Sequence, residues 1–112
     1  MTDRKTETID LGGGCSAVIY AQWLAGEEDD YADWLSAHIQ VGEDGEPKGL
    51  PPTGAMAREL VRLMLVSYIT PEGAQKPTEP TLRGMPVEHR EALTEAVNAR
   101  RPLRRGPGRG KT

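Results

Sequence analysis

The sequence predicts an α+β fold: a small single domain with an N-terminal β-hairpin packed on about three α-helices, then a disordered basic tail. Three observations lead there. A period-two stretch followed by three glycines opens the chain, and three stretches with helical spacing follow it. The last thirteen residues are almost free of apolar side chains and rich in Gly, Pro and Arg. At 112 residues the chain suits one domain. We place that domain at residues 1–100 and the tail at 101–112.

In Thr6 to Leu11, Thr6, Thr8 and Asp10 fall on one face, and Glu7, Ile9 and Leu11 on the other. That alternation reads as a strand. Gly12, Gly13 and Gly14 mark a turn. The short apolar run from Cys15 to Tyr20 is read as the return strand, with a helix running to Ala25 as the alternative. Glu27 to Ile39 reads as a helix. Its first turn is acidic, which suits the positive end of the helix dipole. Tyr31, Trp34, Leu35 and Ile39 make one apolar face at i, i+3, i+4 and i+8.

Residues 42–54 form a Gly/Pro loop. Ala55 to Ile69 is expected to be one helix, apolar nearly all round from Leu63 onward and therefore buried on several sides. Thr70 to Pro80 reads as a second loop. Pro86 suits the first turn of the last helix, on which Leu93 and Val97 lie four apart. Phenylalanine is absent, so the expected core is thin. A domain of this size buries only about 60–70% of its unfolded surface. Leu60, Leu63 and Met64 are expected to carry that core. With Leu93 and Val97 they are also the candidate partner-binding residues, in an apolar groove between two helices.

Charge is distributed unevenly. Residues 1–99 hold 8 Lys/Arg and 17 Asp/Glu, a balance of −9. Residues 100–112 hold 6 Lys/Arg and no acid, +6. The tail offers Arg101, Arg104, Arg105, Arg109 and Lys111 as candidate phosphate contacts, salt-sensitive and sequence-blind. It has no aromatic side chain to stack on bases, which argues against single-strand binding.

Motifs with known chemistry are incomplete. Gly12-x-Gly14-x-x-Ala17 follows a strand, as a dinucleotide fingerprint would, but no second parallel strand ending in an acid follows it. It is read as a turn. Gly110-Lys111-Thr112 resembles the end of a phosphate-binding loop, but Arg105 stands where that motif needs glycine. Cys15, His38 and His89 lack the local spacing of a zinc site or a nucleophile pair. Glu27 to Asp30 with Asp33 lacks the glycine-centred loop of a calcium site. We therefore expect no enzyme, no cofactor and no metal. The lone cysteine, the polar N-terminus and the shortness of the most apolar run lead us to expect a soluble intracellular protein without a membrane span.

Three patches, in order, resemble the tail assembly chaperones of long-tailed (siphovirus-type) bacteriophages. The first is Thr8-Ile9-Asp10-Leu11-Gly12-Gly13 with Ala17-Val18-Ile19. The second is Ala57 to Ile69 running into Thr70-Pro71-Glu72-Gly73. The third is Leu82-Arg83-Gly84-Met85-Pro86 with Arg90, Leu93 and Val97. Together they cover about half the chain, and Glu27 to Gly54 matches nothing in the family. The resemblance implies a non-enzymatic helper in the bacterial host cytoplasm. It would coat the tape-measure protein and recruit tail-tube subunits. It also implies a second, longer product made by a −1 ribosomal frameshift, for which Gly110-Lys111 is the candidate site. Two other readings stand beside it. One is a small acidic phage or prophage regulator or inhibitor acting by protein binding. The other is a nucleic-acid-associated virion protein that uses the basic tail.

Overall fold

The computed structural model describes residues 4–102. The N-terminal hairpin is present. Strand β1 (Thr6–Gly12) pairs antiparallel with β2 (Cys15–Tyr20). Gly13 and Gly14 are the two loop residues, and both have positive φ, 61° and 79°. Two-residue hairpins with that backbone match the natural strand twist, and a side chain at either position would be strained.

Helix α1 (Ala25–His38) follows. The Glu27 carboxylate accepts the Leu24 backbone N–H at 2.9 Å and so caps its first turn. The expected loop at 42–54 is shorter than read: it holds β4 (Pro47–Gly49), which pairs with β3 (Gln40–Val41) just before it. Helix α2 (Thr53–Met64) comes next.

Here the expectation of one helix from Ala55 to Ile69 is corrected. The helix ends at Met64, and Leu65–Thr70 is strand β5. The segment LVSYIT is rich in β-branched and aromatic residues, which fit a pleated surface better than a helical one. A continuous apolar run of this length suits an interior strand as well as a buried helix. The expected loop at 70–80 is also shorter than read. It holds β6 (Gly73–Gln75), and helix α3 (Glu79–Gly84) begins before its end. Helix α4 (Val87–Arg100) closes the described chain.

The main sheet is antiparallel in the order β1-β2-β5-β6. Its register explains the burial pattern. Ala17 faces Tyr68, Val18 faces Ser67, and Ile19 faces Leu65. Val66 is the extra residue of a bulge, so Leu65 and Tyr68 both reach the helical side although they are three apart. Ala17, Ile19, Leu65 and Tyr68 are all under 5% exposed.

Two apolar clusters follow. The larger joins those four residues to Val61, Leu82, Met85 and Leu93, with Ile9, Leu11 and Ala96 at its margin. The second joins Trp23, Tyr31, Leu60, Met64 and Val97, with Tyr20, Trp34, Leu35 and Leu63 beside it. Helix α1 enters the core only through this second cluster. No described helix is long and apolar enough to cross a membrane.

Met64 and Leu93 are 0% exposed. Met64→Ala and Leu93→Ala are each expected to cost about 2–5 kcal/mol. Leu63→Ala should cost less, because Leu63 is only partly buried. Leu50, 59% exposed, is the control, and Leu50→Ala should stay within about 0.5 kcal/mol. Urea unfolding followed by tryptophan fluorescence measures all four.

Candidate functional site

The five apolar residues named as a partner groove are not presented to a partner. Leu60, Met64, Leu93 and Val97 are buried in the domain's own core, and Leu63 is half-buried against it. The apolar faces of α2 and α4 have found each other. A cleft does lie between these helices, on the side away from those residues. It measures about 430 Å³ and is lined by Thr53, Gly54 and Ala57 of α2 and by Val87, Arg90, Glu91, Thr94, Glu95 and Asn98 of α4.

The cleft follows from local sequence. Gly54 and Ala57 are small, so the start of α2 leaves room beside α4. A Cβ added to Gly54 would stand 3.6 Å from the Arg90 guanidinium, an ordinary contact. The α4 positions 87, 91, 94 and 98 lie on one helical stripe. Val87 is 64% exposed and is the most exposed large apolar residue described. Periodicity pointed to the buried stripe of α4 and missed this one, because only Val87 on it is a large aliphatic. The available signal was negative: small residues at the start of α2 where large ones would have closed the gap.

The structure brings two of the three singled-out Cys and His residues to one place. Tyr68 Oη and His89 Nδ1 are 2.7 Å apart in a hydrogen bond, with the rings edge to face. His89 is thus half-buried and engaged. Cys15 is two residues before Ala17, the partner of Tyr68, so its thiol is a diagonal neighbour of the phenol on the helical face. Burial raises the Tyr68 pKa above its ordinary value, and the Cys15 sulfur adds to the effect. A phenol held neutral here serves as a strut between β5 and α4. His38 is elsewhere, stacked on Trp34 and donating to the Trp34 carbonyl at 2.8 Å. Among the described residues no three His, Cys, Asp or Glu side chains are grouped to hold a metal.

A third cluster lies where the chain leaves α4. The Arg101 guanidinium sits over Trp23 at 4.9 Å and over Tyr31 at 5.1 Å from the ring centroids. Glu28 lies 3.8 Å from it and accepts the Trp23 indole N–H at 2.8 Å. Arg101, read with the tail as a phosphate contact, is therefore seated against the body. Arg4 stacks on Tyr20 and pairs with Glu27. The remaining candidate phosphate contacts, Arg104, Arg105, Arg109 and Lys111, lie outside the described residues. No protein-family model, curated protein or solved structure matches the chain.

Tyr31 behaves like Tyr68. Burial raises its pKa, Arg101 opposes that, and Glu59 and Glu28 add to it. A phenol with a raised folded pKa binds its proton more tightly when folded. The associated stability is fully present below about pH 10, the ordinary value, and is lost as pH climbs through the folded value. Urea midpoints measured from neutral to strongly alkaline pH should fall only above that point. The Tyr31→Phe/Tyr68→Phe double variant should show a shallower fall.

Proposed function

We propose that this chain is a tail assembly chaperone of a long-tailed bacteriophage, a non-enzymatic protein that binds helical segments of the tape-measure protein and recruits tail-tube subunits. One observation carries the reading. The larger apolar cluster is built wholly from the three patches that resemble that family. Ala17 and Ile19 come from the first, Val61, Leu65 and Tyr68 from the second, and Leu82, Met85 and Leu93 from the third. Glu27 to Gly54, the stretch without resemblance, contributes nothing to that cluster. Patches that share one core make a folding unit, and resemblance that meets in such a unit carries more weight than scattered short matches.

The cleft between α2 and α4 supports a protein partner. A docking helix needs a trough with small residues on its wall, an apolar anchor and polar flanks. Gly54 and Ala57 supply the wall and Val87 the anchor. Glu91 and Glu95 favour a partner helix with Lys or Arg beside its apolar stripe.

Co-expression with a tape-measure protein from the same genome tests this. The full chain should co-purify with it. Ala57→Arg and Val87→Asp, both outside the two core clusters, should reduce capture at least tenfold while leaving thermal stability near that of the parent. Absence of capture by the unaltered chain overturns the assignment. Capture that both variants retain moves the binding face elsewhere. At the nucleotide level, a slippery heptamer is expected across codons 109–112, with an open −1 frame beyond it. A non-slippery sequence with a closed frame would count against the reading.

A further inference from the structure

A cavity separate from the α2–α4 cleft opens where the chain leaves α4. It measures about 380 Å³ and is lined by Trp23, Leu24, Ala25, Glu28 and Pro102. Leu24, 41% exposed, is one of the large apolar residues that the domain leaves uncovered. The course of the chain at this point is fixed. Arg101 is held over Trp23 and Tyr31. Its backbone is extended, φ −78° and ψ 137°, as suits a residue before proline. Pro102 adds a φ locked by its ring. Leu103, next in sequence, therefore follows directly from the rim of the cavity.

Charge and size agree on either side of this junction. Residues 103–112 hold 4 Lys/Arg and no acid, and Leu103 is their one large aliphatic side chain. Arg104 and Arg105 follow it directly. Helix α1, which lines the cavity through Ala25 and Glu28, holds five Asp/Glu and no Lys or Arg. Its exposed residues Ala25, Asp29, Ala32 and Ser36 form one helical stripe, and all four are short. Glu28 and Asp33 flank that stripe on its two sides. Among the described residues no ion pair engages Asp29 or Asp33. The helix thus presents an apolar hole at its start and a shallow acidic strip leading away from it.

We propose that this surface is a docking site for the chain's own basic segment, with Leu103 seated in the cavity and Arg104 and Arg105 laid along the acidic strip of α1. The spacing suits it. An extended chain advances about 3.3–3.6 Å per residue. Asp29 lies about 6 Å along α1 from Ala25, and Asp33 about 12 Å. Both carboxylates are therefore within arginine side-chain reach of a chain anchored at the cavity. Exposed ion pairs are individually weak, so the apolar anchor carries the docking and the acids steer it. Tethering compensates for the small area. Leu103 is one residue from the cavity rim, and a tether that short holds it at millimolar effective concentration or above. No free peptide and no second copy has that advantage. A phosphate-bearing partner would have to displace α1 to reach Arg104 and Arg105.

Limited trypsin digestion of the full chain, with the C-terminal fragments followed by mass spectrometry, tests the proposal. Cleavage after Arg104 and Arg105 is expected to be at least tenfold slower than cleavage after Arg109, which lies past the docked stretch. Leu103→Ser should abolish most of that difference. The Asp29→Asn/Asp33→Asn double variant, altered only at exposed positions, should reduce it about two- to fivefold. High salt should act in the same direction, because it screens the steering charges. Circular dichroism checks that each variant keeps the parent fold, and the double variant serves if Leu103→Ser does not. Equal cleavage after all three arginines in the parent overturns the proposal. So does protection that Leu103→Ser or the double variant leaves intact. Protection that rises with protein concentration also overturns it, since that would place the segment on a second copy.

Discussion

The backbone passes from helix to strand between Met64 and Leu65 without a loop residue, and the pairing of β5 with β2 that follows supports the rest of the molecule. Without β5 the N-terminal hairpin would be an isolated two-stranded ribbon, which is marginal in water. With it, β2 becomes an interior strand and its Ala17 and Ile19 gain a helical roof. The same junction fixes the roof, since α2 can lie only where its last turn delivers the chain to β5. The Val66 bulge completes the arrangement. By taking up one residue it lets Leu65 close one end of the core while Tyr68 reaches His89 at the other.

Stability is divided between two clusters of different origin. The larger is aliphatic and draws on sheet, α2, α3 and α4. The second is aromatic and holds α1 through Trp23, Tyr31 and Trp34. Arginines close its edges, Arg4 over Tyr20 and Arg101 over Trp23 and Tyr31. Cation–π contacts contribute about 0.5–2 kcal/mol each, depending on how dry they are. Arg100 also bonds Glu7 across the hairpin, so the end of α4 is tied to both β1 and α1. The acidic turn of α1 therefore serves more than its own helix dipole: Glu27 and Glu28 receive the arginines that join the two ends of the described chain.

This division bears on the proposed function. The residues that line the α2–α4 cleft belong to neither cluster. The aromatic unit and the β3–β4 ribbon stand apart from that cleft. On the proposed reading, elements that avoid the cleft leave it open to a partner helix. The thiol, phenol and imidazole that converge near the hairpin turn are read as structure for a comparable reason. The phenol is occupied in joining β5 to α4, so the three groups form a strut between elements.

The hairpin, α1 and α4 were legible in the sequence because each depends on local chemistry. Alternation and paired glycines specify β1 and its turn, an acidic first turn and an i, i+3, i+4, i+8 stripe specify α1, and Leu93 with Val97 specify the buried side of α4. The break at Met64 was not legible. An apolar run such as LMLVSYI satisfies a buried helix and an interior strand equally, and the choice is made by β2, some fifty residues earlier in the chain. Burial of Leu60 and Met64 could be read from composition, whereas Leu63 is only half-buried, and which surface stayed uncovered could not be read. A groove is defined by what its neighbours leave uncovered, and Gly54, Ala57 and Val87 acquire meaning only when α2 and α4 lie side by side. Tertiary structure likewise decided that His89 meets Tyr68 and that Arg101 meets Trp23, because both contacts join elements whose separation in sequence carries no periodic signal.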